Sequence, residues 1–135
     1  MSKSVFEASF DKLVALNIIQ QDGTLRRNGK SKADGTQDLV FERLENLDNF
    51  NGPNTQALSI AQNSEPSQDI KMTLFYSPER KTVEVYAYQR TIPRIYNEVY
   101  PRPGYVAPKL KARLNGFLGS WLGGLVKKGH GHVWE

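Results

Sequence analysis

The chain has no cysteine, only two histidines, and no apolar run that approaches the length of a membrane span. Without cysteine there is no disulfide framework, no thiol nucleophile and no thiolate metal site. A helix needs about 20 consecutive apolar residues to cross a bilayer, so the sequence predicts no membrane span. Residues 1–16 carry acids and lack a continuous apolar core, unlike a secretory signal. We therefore expect a cytoplasmic protein.

Both histidines, His130 and His132, lie close to the C-terminus, so the chain offers no Ser-His-Asp or Cys-His arrangement. It also contains neither of the glycine-rich motifs that cradle phosphates. The histidines and Glu135 form an incomplete ligand set for a metal ion, set among glycines. These observations predict a protein that is not an enzyme, with no cofactor and no metal site, and a mobile tail over residues 129–135.

With 135 residues the chain is long enough for one hydrophobic core and too short for two, which predicts a single domain over residues 1–135. Its charge is unevenly divided. Residues 1–69 hold seven Lys/Arg and ten Asp/Glu, a balance of −3, and residues 70–135 hold eleven and four, a balance of +7. Such asymmetry favours an anionic partner for the basic half, although an uneven solvated surface would look the same.

The first two thirds of the chain read as one helix followed by strands. Apolar residues at helical spacing predict a helix over residues 4–18, and Ser4 with Glu7 matches a capping box. Strands are predicted over residues 25–30, 37–47, 55–61, 70–77 and 82–88, although residues 37–47 also keep some helical spacing. The last two strands form a hairpin. In it we expect one face with Met72, Leu74 and Tyr76, and a matching face with Val83, Val85 and Ala87.

The last third contains a proline-rich connector and an amphipathic helix. Four prolines between residues 93 and 108 exclude a central strand, and residues 95–100 are predicted to form a short helical turn. The final helix begins at Pro108, ends before Gly129, and carries one apolar stripe: Leu110, Leu114, Phe117, Leu118, Trp121, Leu122, Leu125 and Val126. The predicted fold is α+β: an N-terminal helix, an antiparallel sheet of about four to five strands, and a long C-terminal amphipathic helix packed on the sheet.

All six tyrosines fall between residues 76 and 105, interleaved with arginines. Tyr86 and Tyr88 are predicted to share one strand face, and aromatic residues beside arginines on a sheet are typical of single-stranded nucleic-acid binding. The alternative is that these two tyrosines pack beneath the connector. The candidate binding residues are Arg90, Arg94, Tyr96, Tyr100, Arg102, Tyr105, Lys109, Lys111 and Arg113.

Four glycines interrupt the final helix, at a cost of about 0.5–1 kcal/mol each in a helix interior. Small residues permit the close approach of a sheet, of another helix or of a second copy of the chain. A homodimer through Gly116, Gly119 and Gly123 is therefore one prediction. The basic ends and the tryptophan also resemble an interfacial membrane helix, but the predicted strands need a cover, which favours packing on the sheet.

The C-terminal half contains a set of residue pairs in a fixed order: Tyr88-Gln89, Tyr96/Val99/Tyr100, Leu110-Lys111, Leu114-Asn115, Phe117-Leu118, Trp121-Leu122 and Gly129-His130. This order resembles that of a family of small bacterial proteins classed only as a domain of unknown function. The four helix glycines depart from the pattern, and the resemblance covers about half of the chain. It implies a small α+β fold and a phage or mobile-element setting, and it implies no activity.

The function predicted from the sequence is that of a non-enzymatic binding protein. In the leading interpretation a phage or mobile-element accessory factor engages an anionic partner, nucleic acid, through its basic C-terminal half. The alternative is a protein–protein interaction or inhibitor module that acts on a host or partner protein through an acidic surface of that partner, or that works as a homodimer.

Overall fold

The computed structural model of the protein describes residues 4–33, 38–50, 52–64, 68–90, 95–100 and 105–134. Two α-helices flank a run of six strands along the chain. The elements are α1 (Val5–Ala15), β1 (Asn28–Ser31), β2 (Leu39–Arg43), a short 3-10 helix (Glu45–Leu47), β3 (Gln56–Ser64), β4 (Gln68–Ser77), β5 (Thr82–Arg90), β6 (Ile95–Glu98) and α2 (Pro108–Lys127). The α+β fold class predicted from the sequence is confirmed.

The first helix begins as its sequence predicts and ends earlier. Ser4 Oγ accepts the Glu7 N–H at 3.2 Å, and the Glu7 carboxylate accepts the Ser4 N–H at 3.2 Å, which completes the capping box. Helix α1 ends at Ala15, because Asn17 adopts a left-handed conformation with φ of 60°. Asparagine tolerates that conformation better than most residues. The helix predicted over residues 4–18 therefore extends three residues beyond the actual helix end.

All six strands pair in chain order into one antiparallel sheet. The prediction of four to five strands was wrong by one strand. The missing strand is β6, which pairs antiparallel with the C-terminal part of β5, from Ala87↔Glu98 to Arg90↔Ile95. This pairing corrects the prediction of a helical turn over residues 95–100, because residues 95–98 form a strand. Prolines on either side permit a short edge strand, because its outer N–H groups need no ladder partner.

A β-bulge in β5 decides which side chains face the helices. Leu74 pairs with Val85 and Thr73 pairs with Ala87, so Tyr86 is an extra residue without a partner opposite. The bulge reverses the alternation after Tyr86. Tyr88 therefore lies on the core face, opposite Met72, and Ala87 lies on the outer face. The predictions that Tyr86 and Tyr88 share a face, and that Ala87 joins Val83 and Val85, are corrected.

Both helices cover the same face of the sheet. Buried residues of α1 and α2 and the core-facing residues of β2 to β5 form one cluster, in which Leu13, Leu118, Leu122, Ile60 and Leu74 are fully buried. This confirms that the C-terminal helix packs on the sheet. The other face, which we call the outer face, is covered by neither α1 nor α2.

Helix α2 also completes the hydrogen bonding of the part of β5 that β6 does not reach. Asn115, buried on α2, accepts the Val85 N–H through Oδ1 at 2.9 Å, and its Nδ2 donates to the Lys111 carbonyl at 2.7 Å. An unpaired buried N–H would cost about 1–3 kcal/mol, so this polar residue is well placed on an otherwise apolar helix face. The contact positions the first half of α2 beside β5.

The C-terminal residues 129–134, which we call the C-terminal clasp, pack between α1 and β1. Ser31 Oγ lies 3.2 Å from Nδ1 of the buried His130 and accepts the Gly131 N–H at 2.8 Å. Trp134 Nε1 donates to the Leu16 carbonyl at 3.1 Å, and Asn17 Nδ2 donates to the Gly131 carbonyl at 2.6 Å. The prediction of a mobile tail over residues 129–135 did not include these contacts. Glu135 lies outside the described residues.

The ion pair between Arg43 and Asp48 predicts an acid-sensitive contribution to stability. Arg43 donates to both carboxylate oxygens of Asp48, at 3.0 and 2.9 Å, and the Ala57 N–H donates to Oδ1 at 3.0 Å. The hydrogen bonds from Arg43 hold the pKa of Asp48 below its usual range. A lowered pKa stabilises the fold above the unfolded value, about 3.9, and this stability disappears as the pH falls through the folded value.

We therefore expect Asp48→Asn to lower the free energy of unfolding by about 1–2 kcal/mol at neutral pH, with the gap to the unmodified protein closing below about pH 4. Urea unfolding of both proteins between pH 7 and pH 3 measures the gap. A gap that stays constant over that range would contradict this reading of the pair.

Candidate functional site

The structure separates the predicted binding residues instead of placing them on one surface. Arg94 and Arg102 lie outside the described residues. Tyr100, Tyr105, Lys109, Lys111 and Arg113 lie at or near the beginning of α2, and Arg90 and Tyr96 lie on β5 and β6 of the sheet. The two groups are considered in turn.

Tyr100 and Lys111 meet at Glu84 in a contact that ties the connector to α2. The Tyr100 hydroxyl donates to Glu84 Oε1 at 2.7 Å, and Lys111 Nζ lies 3.8 Å from Glu84 Oε2. Lys111 Nζ also lies 5.4 Å from the ring centre of Phe6 and 5.8 Å from that of Tyr100. The charge of Lys111 is therefore largely balanced within the protein, and we assign both residues a structural part.

Burial, followed by the hydrogen bond to Glu84 and the charge of that carboxylate, raises the pKa of Tyr100 well above its ordinary value. The phenol therefore remains protonated and remains a donor throughout the physiological range. Tyr100 cannot act as an ionised base here, and its hydroxyl is already committed to an internal acceptor.

Tyr105, Lys109 and Arg113 differ from that cluster because they are exposed. They stand beside the N-terminus of a 20-residue helix whose N-cap, Ala107, makes no side-chain capping bond and whose first turn holds no acidic residue. The unpaired N–H groups of a helix N-terminus carry a partial positive charge. Lys109 and Arg113 add to that charge, so this end of the molecule is electropositive.

An apolar groove of about 600 Å³ runs along this electropositive end, between the first turn of α1 and the first half of α2. Val5 and Val106, two of its lining residues, are each 40% exposed. We call it the helix-end groove, and its lining residues are Val5, Phe6, Val106, Pro108, Lys111, Ala112, Asn115 and Gly116. An apolar side chain placed in the groove would cover both valines, which supplies a driving force for binding.

The four helix glycines have two different surroundings. Gly119 is buried against α1, where its carbonyl accepts a hydrogen bond from Lys12 Nζ at 2.9 Å. A Cβ on Gly123 would also contact Lys12, at 3.8 Å. In contrast, Cβ atoms on Gly116 and Gly124 would meet nothing within 4 Å. Gly119 and Gly123 therefore accommodate the neighbouring helix of the same chain, and Gly116 leaves open space in the helix-end groove.

The sheet residues Arg90 and Tyr96 point to opposite faces. Arg90 is half-buried at the end of β5, on the core side, across from Ile70 and Ile95. Tyr96 is 57% exposed on the outer face, and its hydroxyl donates to Glu98 Oε1 at 2.7 Å. Burial and that hydrogen bond raise the pKa of Tyr96 to about 12, so it too stays protonated.

The apolar residues that line the helix-end groove were not predicted from the sequence as part of a site. A partial signal for them was present, because α1 begins with two adjacent apolar residues, Val5 and Phe6. Val106 gave a second signal, as an apolar residue immediately before the helix. Their meeting could not be read from the sequence, since it depends on how the two helices cross.

No helix in the described ranges is both long enough and apolar enough to cross a membrane. Among the same residues, no group of three or more His, Asp or Glu side chains is placed to hold a metal ion. The chain matches no family model, no curated protein and no solved structure. The resemblance to a bacterial domain of unknown function therefore stays a prediction.

Proposed function

We propose that this protein is a non-enzymatic binding module whose helix-end groove receives an acidic, amphipathic segment of a partner protein. The observation that carries the proposal is the juxtaposition of an exposed apolar groove with Lys109, Arg113 and the positive end of α2. Binding of an amphipathic segment in a groove between helices is a common recognition mode, in which apolar anchors supply affinity and charge supplies orientation.

The chemistry of the lining favours a protein over nucleic acid at this surface. Val5, Val106, Ala112 and Gly116 are aliphatic or small, whereas bases stack on aromatic rings. Phe6, the aromatic residue of the lining, already has Lys111 near its ring face. Aliphatic side chains of a partner fit this lining, and acidic residues beside them would pair with Lys109 and Arg113.

A matched pair of glycine substitutions tests the proposal. Gly116→Leu fills the helix-end groove, whereas Gly124→Leu adds the same side chain at an equally open position of α2 outside the groove lining. Leucine favours a helix interior over glycine by about 0.5–1 kcal/mol, so neither substitution should unfold the protein. Loss of binding by Gly116→Leu alone would then reflect the groove.

We expect the unmodified protein and Gly124→Leu to retain the same nuclease-resistant partner from a lysate of the native host, and Gly116→Leu and Lys109→Glu/Arg113→Glu to lose it. The partner, once purified, should bind the unmodified protein directly, at least tenfold more tightly than it binds Gly116→Leu. Retention that requires intact nucleic acid, or equal binding by both leucine variants, would contradict the proposal.

Dimerisation through Gly116, Gly119 and Gly123 stays a prediction. Because Gly119 is buried against α1, a second copy could reach that residue only by displacing α1. A placement in a phage or mobile element likewise stays a prediction from the sequence resemblance.

A further inference from the structure

A cavity of about 870 Å³ lies between α1 and the end of the sheet at which β2 and β4 finish and β3 begins. Small-molecule sites in proteins typically enclose about 300–1,000 Å³. We call it the sheet-end cavity. Of the described residues, none lines both this cavity and the helix-end groove. Its lining includes residues 20–25 and the side chains of Phe10, Val14, Arg43, Gln56 and Tyr76.

The residues on the core face of the sheet explain why the core stops short of this end. Apolar side chains fill the core-facing positions along most of β2 and β3. The last such position of β2 is Arg43, and the first of β3 is Gln56, which pairs with Tyr76 of β4. Because these two polar side chains do not close over α1, Phe10 and Val14 stay partly exposed.

One side of the cavity is apolar. The ring of Phe10 stacks on the fully buried ring of Tyr76, with centres 6.0 Å apart, and Val14 and Leu25 are partly buried against the same core. The Tyr76 hydroxyl donates to the Gly23 carbonyl at 2.7 Å, so Tyr76 offers its ring and not its hydroxyl. An apolar ligand body would cover Phe10, Val14 and Leu25, which supplies a driving force for binding.

A tight turn over residues 20–24 forms a wall that is already ordered. Asp22 Oδ1 accepts the Thr24 N–H at 3.1 Å and the Thr24 hydroxyl at 2.6 Å. The Gln20 N–H donates to the Thr24 carbonyl at 2.8 Å, and the Gly23 N–H donates to the Gln20 carbonyl at 2.9 Å. A ligand that enters the cavity therefore need not order this segment, which lowers the cost of binding.

The charged groups of the lining favour an anion. Arg43 donates two hydrogen bonds to Asp48 and one to the Ala57 carbonyl, which occupy three of its five N–H donors. Asp48 itself lies outside the lining, whereas the exposed Lys81 is part of it. Among the described lining residues, these two cations face one carboxylate, Asp22, which already accepts two bonds within the turn.

The backbone of Lys81 supplies a second observation. Its φ is 56°, in the left-handed region that glycine and asparagine tolerate better than lysine. The Lys81 N–H donates to the Ser77 carbonyl at 2.8 Å and closes the turn between β4 and β5. A lysine at this position costs stability, and strained residues cluster at ligand-binding sites. A positive charge at the cavity accounts for lysine here.

We propose that the sheet-end cavity binds a small aliphatic carboxylic acid, with its chain on the apolar side and its carboxylate at Lys81 and Arg43. A guanidinium suits this group, because its N–H donors match the geometry of a carboxylate. Gln56 adds an amide donor beside Arg43. A neutral molecule with the same chain would leave both cations unused, and an amine would be repelled by them.

Isothermal titration calorimetry with octanoate, 1-octanol and octylamine, which share one hydrocarbon chain and differ in charge, tests the proposal. We expect octanoate to bind about tenfold more tightly than either of the other two, since it alone forms charge-assisted hydrogen bonds. Backbone amide shifts in nuclear magnetic resonance spectra should place the octanoate beside residues 20–25 and Lys81. Equal affinities for the three probes, or no octanoate binding, would overturn the proposal.

A pair of neighbouring substitutions separates the cavity from general surface charge. Lys81→Asn removes the charge and keeps a residue that tolerates this φ, so it should be at least as stable as the unmodified protein. We expect it to weaken octanoate binding about tenfold and to leave 1-octanol binding unchanged. Arg80→Asn removes an adjacent charge outside the lining and should bind octanoate normally. Equal octanoate affinities of the two variants would refute the assignment to the cavity.

Discussion

Gly131→Ala is expected to destabilise the protein by about 3 kcal/mol or more, the sum of backbone strain and steric overlap. Gly131 has a φ of 98°, a backbone conformation that residues other than glycine rarely adopt. A Cβ at this position would lie 2.7 Å from the Leu16 Cα and carbonyl oxygen. These are backbone atoms at the end of α1, so the overlap cannot be relieved by a side-chain rotation.

The substitution would therefore push the C-terminal clasp away from α1 and weaken the contacts of Ser31 with His130 and Gly131. Gly129→Ala is the matched control, because Gly129 has a similar φ of 93° but nothing within 4 Å of the added Cβ. It should cost only the strain, about 1–2 kcal/mol. Urea unfolding of the two variants measures the difference, and equal losses in both would show that residues 129–134 do not pack as described.

Leu118→Ala is expected to lower the free energy of unfolding by about 2–5 kcal/mol, whereas Phe117→Ala should lower it by about 1 kcal/mol. Leu118 is fully buried between α2 and the rest of the core, so its removal leaves a cavity. Phe117 is 42% exposed and makes an edge-on contact with the ring of Tyr88, with centres 5.8 Å apart. Adjacent residues of one predicted apolar stripe are therefore expected to differ severalfold.

Thermal unfolding provides a simple measurement of this pair, since 1 kcal/mol shifts the melting temperature by roughly 3–5 °C in a domain of this size. Circular dichroism at low temperature checks that both variants keep their helices. A larger loss for Phe117→Ala than for Leu118→Ala would mean that α2 is rotated relative to its described orientation on the sheet.

Local patterns were enough to predict much of this fold. Ser4 and Glu7 mark the start of α1 because capping depends only on residues three apart. Pro108 and Gly129 mark the limits of α2 for similarly local reasons, and the alternation along β4 identified its core face. The α+β class and the packing of α2 on the sheet followed from these elements.

Long-range pairing accounts for what could not be predicted. Residues 95–98 are too short and too close to prolines to read as a strand, and they become one because the free edge of β5 lies beside them. The bulge at Tyr86 is visible only once β4 and β5 are set in register, and it alone moves Tyr88 into the core. His130 is buried by α1 and β1, which are distant in sequence.

The candidate site was likewise predicted where local composition was sufficient and not where it depends on long-range contacts. The basic residues at the beginning of α2 were identified from composition, and Lys109 and Arg113 are indeed exposed there. Composition could not show that Lys111 contacts Glu84, Phe6 and Tyr100 within the protein. Nor could it show that Tyr96 lies on the outer face of the sheet, away from the helices. The helix-end groove depends on the crossing of two helices, which no sequence pattern of either helix contains.

The ratio of the affinities of Gly124→Leu and Gly116→Leu for the purified partner protein tests the central proposal most directly, because both variants gain the same side chain on the same helix. The account predicts that Gly124→Leu binds like the unmodified protein and that Gly116→Leu binds at least tenfold more weakly, a difference of about 1.4 kcal/mol. A ratio near one, with both variants folded, would contradict the assignment of partner binding to the helix-end groove.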